Sequence, residues 1–306
     1  MATPVGFGVM PRAPANGIEL EYETFGDQTK PALLLIMGLG VQMLGWDERF
    51  CNMLVDRGFF VIRYDNRDVG LSTHSEGPVP NPLELMGGNF SSASYTLDDL
   101  ADDAAGLLDH LGIAAAHAAG VSMGGMIGQT LAARHPDRVL SLASIMSTTG
   151  NSEVGQPKQE ALVALITPMP GDRDGYVDAA ARAFSVIGSP GYPPDQERLR
   201  ALIGASYDRS YNPTGFLRQL AGIMASGDRT EALRAIKAPT VVIHGEDDPL
   251  IVKSGGEATA QAIPGAKLVT IPGMGHDLPP ELWPQFIDEI VDNTERAAVG
   301  GPAPGG

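Results

Sequence analysis

The chain has 306 residues, 43% hydrophobic and 19% charged, with 38 Gly and 24 Pro. This excludes a coiled coil and a wholly disordered polymer, and leaves room for a large α/β domain with a sizeable insertion. The 37 acidic residues outnumber 21 basic ones for a net charge of −16, so phosphate backbones and anionic lipids are repelled and neither nucleic acid nor membrane is an expected partner.

In chain order, Met1–Ala15 is rich in Gly, Pro and Ala and is expected to be mobile. Its first 12 residues contain no apolar core of signal-peptide length. The longest nearly apolar stretch, Ala32 to Val41, is too short to cross a bilayer. A cytoplasmic location is therefore expected. Strands are expected at Ile18–Phe25, Ala32–Met37 and Phe59–Tyr64. Ala32-Leu33-Leu34-Leu35-Ile36-Met37 lacks polar alternation, as befits a strand covered on both faces. The single cysteine, Cys51, forms neither an internal disulfide nor a Cys-rich metal site and reads as a buried thiol on a helix.

A helix at Thr96–His110 places Leu97, Leu100, Ala104, Leu107 and Leu108 on one stripe. Asp98, Asp99, Asp102, Asp103 and Asp109 are expected on its solvated face. Strands at Ala115–Val121 and Val139–Met146 flank a helix at Met126–Arg134. From Ser147 to about Ile236 strands give way to helical pieces: Lys158–Ile166, Tyr176–Val186, Gln196–Tyr207 and Thr214–Ala225. Strands resume at Thr240–His244 and Lys267–Ile271, and a helix follows at about Glu281–Glu295. The alternation predicts an α/β fold with a mostly parallel sheet flanked by helices. It divides the chain into core residues 1–147, a helical cap over 148–236 covering the sheet's carboxyl edge, core residues 237–296, and a flexible tail over 297–306.

The sharpest chemical signal is Gly120-Val121-Ser122-Met123-Gly124-Gly125, between an expected strand and an expected helix. Such a match arises by chance in roughly one chain in four of this composition, so its context carries the weight. A strand-to-helix turn of this kind lifts a serine hydroxyl above the sheet. A nucleophilic serine needs a base, and the base an orienting acid, following here in the order Ser, Asp or Glu, His. Glu246-Asp247-Asp248-Pro249 and Gly273-Met274-Gly275-His276 each follow a strand at that same edge. Of the histidines, His110 and His135 suit helix C-termini, His117 and His244 read as packed strand residues, and His74 lies on a loop. His276 alone combines edge, order and Gly-flanked loop. Among the acids, Asp248 is favoured because Pro249 biases its backbone toward a turn, with Asp247 as the alternative.

With these residues in place, the sequence resembles an α/β-hydrolase with a Ser-Asp-His triad over about Gly17 to Glu295, the helical insertion matching a cap domain. The segments Arg63 to Ser72 and Ile271 to His276 more narrowly resemble the aclacinomycin methylesterase group of carboxylesterases. The resemblance assigns the acid of a Gly-x-x-Asp-Pro segment to Asp248. It implies backbone oxyanion donors at Leu39 and Met123. The chain reads Met37-Gly38-Leu39-Gly40 where many members have His-Gly, yet the donors are main-chain N–H groups and need no His side chain. Asp65 and Arg67 are expected to brace loops near the site. Met169, Tyr176, Phe184, Tyr192, Tyr207, Tyr211, Phe216 and Met224 are available in the cap to line an apolar pocket or to pack among themselves.

No dinucleotide or phosphate-loop glycine motif and no metal-binding pattern is present in the sequence, so no cofactor and no metal are expected. Ser rather than Asp at position 122 counts against the dehalogenase and epoxide hydrolase branches of the fold. The expected function is hydrolysis of a small to medium apolar carboxylic ester through an acyl-enzyme. Gly-Val-Ser-Met-Gly-Gly-Met also resembles enol-lactonases and haloperoxidase-type perhydrolases, and the fold further serves slow or non-catalytic small-molecule receptors.

Overall fold

The computed structural model describes residues 10–300. In chain order its elements are β1 (Arg12–Ala15), β2 (Ile18–Phe25), β3 (Ala32–Ile36), α1 (Glu48–Asp56), β4 (Phe60–Tyr64), α2 (Pro82–Met86), α3 (Leu97–His110), β5 (Ala116–Val121), α4 (Met123–Arg134), β6 (Val139–Ile145), α5 (Gln159–Ile166), α6 (Arg173–Ile187), α7 (Gln196–Arg209), α8 (Pro213–Ser226), α9 (Thr230–Leu233), β7 (Thr240–Gly245), α10 (Ser254–Ala262), β8 (Lys267–Ile271) and α11 (Trp283–Gly300). The strands form one sheet in the order β1-β2-β4-β3-β5-β6-β7-β8. Strand β2 is antiparallel to both neighbours, and every pairing from β4 to β8 is parallel.

The unbroken apolar run in β3 has the expected cause. Leu34 and Ile36 join a core with Leu100, Leu107, Met123 and Ile127 from α3 and α4. Leu33 and Leu35 point the other way, into a core with Phe50 and Leu54 from α1 and Phe286 and Ile290 from α11. Both faces are thus covered, as parallel sheets require. Cys51 is buried on α1, and desolvation pushes its thiol up to about 12. No helix among the described residues is long and apolar enough to cross a membrane.

Three expectations need revision. Residues 12–15, expected within a mobile N-terminus, form edge strand β1 with Ala13 and Ala15 buried, paired along β2. Residues 1–9 of that segment lie outside the described residues. The tail expected over 297–306 is helical as far as Gly300, the end of α11, and its last six residues lie outside the described residues. Asp103, expected on a solvated face, is buried against the Arg67 guanidinium, with an Arg67 Nε–Asp103 Oδ2 distance of 2.6 Å. Its position brings it under the loop after β4, where the Arg67 charge compensates for the lost water.

Helices α5 to α9 all lie between β6 and β7. They carry a small apolar cluster of Val177, Ala180, Ala181 and Ile203. The carboxyl ends of β3 to β8 release the loops that begin at Met37, Asp65, Ser122, Met146, Glu246 and Pro272, so these six loops converge on one edge.

Candidate active site

Ser122 occupies a one-residue turn between β5 and α4, with φ +55° and ψ −120°. The helix starts three residues earlier than its apolar pattern indicates, directly after this serine. The chain can turn so tightly because Gly120 and Gly124 lack side chains. A Cβ on Gly120 would lie 2.1 Å from the Gly124 carbonyl oxygen, and one on Gly124 would lie 2.1 Å from that of Ile36. The Ser122 N–H donates to the Ile145 carbonyl at 2.9 Å, and its carbonyl accepts from Ser147 Oγ at 2.9 Å. A non-glycine residue in such a conformation is strained by of order 1–3 kcal/mol, so neighbours must hold it there.

Three of the expected residues meet in one line. Ser122 Oγ donates to His276 Nε2 at 2.9 Å, and His276 Nδ1 donates to Asp248 Oδ2 at 2.7 Å. His276 and Asp248 are buried, whereas Ser122 stays half-exposed and reachable. The other oxygen of Asp248 accepts the N–H groups of Leu250 and Ile251 at 2.8 and 2.9 Å. The carboxylate is therefore fixed from both sides. The alternative acid, Asp247, points elsewhere and accepts the Gly273 N–H at 2.9 Å, bracing the loop that carries His276.

The other histidines fall where expected. His110 ends α3 and His135 caps α4. His74 bonds to the Gly70 carbonyl at 2.9 Å. His117 lies in β5 beside Ser141 Oγ at 2.8 Å, and burial lowers its pKa to about 4. His244 donates from Nε2 to the Ile251 carbonyl at 2.7 Å. Burial lowers its pKa against the pull of Asp248, so it supports the Asp248 turn as a neutral ring.

The Met37–Val41 loop lies directly against the serine: a Cβ on Gly38 would sit 3.3 Å from Ser122 Cβ. Asn66 Nδ2 donates to the Met37 carbonyl at 3.0 Å. Met123 is the first residue of α4, so its N–H has no partner within the helix. Asp65, fully buried, accepts the N–H groups of Met43 and Leu71 and an ion pair from Arg209 on α7 at 2.6 Å. Burial raises its pKa while Arg209 opposes the shift. Both Asp65 and Arg67 are thus loop braces.

The aromatic residues of the insertion divide between packing and the site. Tyr176, Tyr207 and Tyr211 pack against one another in tilted and edge-on contacts with centroids 4.7 to 5.6 Å apart, and Phe184 packs on the small cluster shared by α6 and α7. Phe216 instead covers Gly40, and Tyr192 lies against Gly273 in the His276 loop. Met169 is half-exposed. Met224 lines a cavity of about 730 Å³ together with the apolar Phe90, Met126 and Ile223 and with polar residues that include Thr148, Asn151, Gln156 and the carboxylates Glu153 and Asp228. Met126 stands one turn along α4 from Ser122.

Nothing local in the sequence marks two further contacts. Ser189, after α6, receives the Gly275 N–H at 2.8 Å and donates to Asp277. Gln219, inside α8, receives the Gly40 N–H at 2.8 Å. Both are polar residues of the insertion whose partners lie more than 80 positions away.

A parallel sheet that lifts a serine on a strand-to-helix turn, with a histidine and a carboxylate in line behind it, has the architecture of α/β-hydrolases. A family model described as the alpha/beta hydrolase fold matches residues 31–189, and the chain belongs to that family. Within it, the chain is 27% identical over 304 residues to rhodomycin D methylesterase of Streptomyces peucetius, covering 92% of this chain and 97% of that protein. It is 28% identical over 251 residues to 3-oxoadipate enol-lactonase 2 of Acinetobacter baylyi, covering 81% and 83% respectively. Among solved structures, the enol-lactonase of Burkholderia xenovorans is similar at a TM-score of 0.73 and 29% identity, covering 93% of this chain and all of that one. The resemblance read from the motifs is borne out at the level of family and of the methylesterase group.

Proposed function

We propose that the protein is a serine carboxylic-ester hydrolase that acts through an acyl-enzyme on Ser122. The carrying observation is the Ser122–His276–Asp248 line at 2.9 and 2.7 Å. His276 takes the hydroxyl proton as Ser122 Oγ attacks the ester carbonyl, and Asp248 stabilises the resulting imidazolium. The carbonyl oxygen becomes an oxyanion between the N–H groups of Leu39 and Met123. His276 then protonates the departing alcohol, which leaves with the collapse of the tetrahedral intermediate. Water, deprotonated by the same histidine, attacks the acyl-enzyme and releases the carboxylic acid. No step calls for a cofactor or a metal.

Residues 148–236 act in this reading as a cap over the site. The apolar residues among the lining of the adjacent cavity, Phe90, Met126, Ile223 and Met224, support a small to medium ester with an apolar body. The single buried Cys51 accords with a cytoplasmic setting. A lactone is a cyclic ester opened by the same steps, and the likeness to enol-lactonases favours it as the second reading.

The test is a panel of methyl esters, p-nitrophenyl esters of increasing chain length, and lactones, with the wild type and Ser122→Ala side by side. The wild type should turn over at least one class, with rates that vary along the chain-length series. Ser122→Ala should lose roughly 10⁵-fold or more in kcat. Equal rates for the two proteins would overturn the mechanism. Ligand-induced thermal stabilisation without turnover would indicate a receptor instead.

A further inference from the structure

The oxyanion loop is not held by the sheet domain alone. Gly40 has φ +69°, and its N–H donates to Gln219 Oε1 at 2.8 Å. The amide of Gln219 donates in turn to the Arg67 carbonyl at 2.8 Å, linking two carboxyl-edge loops. Gln219 is fully buried, so no water substitutes for it. Phe216, one turn earlier on the same face of α8, covers Gly40. Just beyond the loop, Gln42 donates to the carbonyls of Ser206 and Ser210 at 2.7 and 2.9 Å and accepts from Arg209 at 2.8 Å. Helix α8 is itself fixed to the core where Asn212 donates to the Asp68 carbonyl at 2.9 Å.

From these contacts we propose that Gln219 is a positioning residue that sets the Met37–Val41 loop so that the Leu39 N–H faces the oxyanion. The inference rests on the serine-hydrolase reading above. Its physical basis is that Leu39 precedes the residue Gln219 grips. A hydrogen bond to the Gly40 N–H fixes the peptide plane next to that of Leu39, and Phe216 blocks retreat of the loop toward α8. The insertion thereby completes the catalytic geometry as well as covering it. A cap that moved α8 away would release the loop and weaken oxyanion stabilisation together with substrate enclosure.

The test first labels the wild type with a fluorophosphonate, because absence of a Ser122 adduct would defeat the underlying reading rather than this one. Gln219→Met and Gln219→Glu are then compared with the wild type on a p-nitrophenyl ester. Methionine conserves volume without hydrogen bonds, while glutamate keeps an acceptor for the Gly40 N–H. A displaced donor should lower kcat about 100-fold in Gln219→Met. Gln219→Glu should fall between that variant and the wild type. KM should stay within about twofold in both, because the oxyanion forms only in the transition state. A trifluoromethyl ketone that forms a hemiketal with Ser122 should lose affinity in the same proportion as kcat/KM. Unchanged kcat in Gln219→Met, or a loss confined to KM, would overturn the proposal. Should the methionine variant fail to fold, the same readouts on Gln219→Glu decide: a partial loss of kcat matched by an equal loss of ketone affinity supports the grip, whereas wild-type kcat or a loss confined to KM contradicts it.

Discussion

Ser122 combines two properties that seldom coincide in a purely structural serine. Its backbone is held at φ +55°, and its hydroxyl points to a buried histidine 2.9 Å away. The type and order of these residues were legible in the sequence because glycine at 120 and 124 is a steric necessity of the turn. The choice between consecutive acids was harder, since local pattern weakly separates Asp247 from Asp248. Geometry gives them different roles, with Asp248 meeting the imidazole and Asp247 tethering Gly273. Asp248→Asn should therefore lower kcat by about 10⁴-fold, as loss of an orienting carboxylate does. Asp247→Asn removes only the charge, because its amide oxygen still accepts the Gly273 N–H, and should cost less than about tenfold. Steady-state rates on one ester check both, and equal losses would contradict the division of roles. Gln219 was not legible, because a glutamine among apolar and basic neighbours in α8 gives no sign that its partner is Gly40.

At the scale of elements, the strands were legible because a sheet covered on both faces imposes apolar runs, unbroken in β3 and shorter in β7 as Val241-Val242-Ile243. Edge strand β1 escaped notice because four residues containing a proline carry no such run. Asp103 misled for a related reason: helical periodicity places it, but not the Arg67 loop that folds over it. Two strands also hold a neutral histidine, His117 in β5 and His244 in β7, each with its pKa lowered chiefly by burial. For His117, the value falls from 6.5 to about 4, so between those limits the unfolded chain binds more protons than the folded one. The stability associated with the neutral ring is complete above the upper limit and is lost as pH falls toward the lower. Thermal melts across this window should show a smaller acid-induced drop in Tm for His117→Gln than for the wild type. Parallel Tm curves for the two proteins would contradict the assignment.

Across the whole molecule, the sheet and the helical insertion share one site. Core strands deliver Ser122, Asp248 and His276 to a common edge, while α6, α7 and α8 reach back to hold the loops around them. Ser189 binds the Gly275 N–H, Arg209 binds Asp65, and Gln219 binds the Gly40 N–H. The existence of the insertion was legible because strands cease between Met146 and Thr240, but its contacts were not, being long-range pairs of polar side chains and main-chain groups. The most direct measurement is incubation of the folded protein with a fluorophosphonate, followed by peptide mass spectrometry, with His276→Ala in parallel. A single adduct on Ser122 is expected, forming rapidly in the wild type and strongly slowed without His276. No adduct on folded wild-type protein, or one on a different residue, would contradict the proposed mechanism.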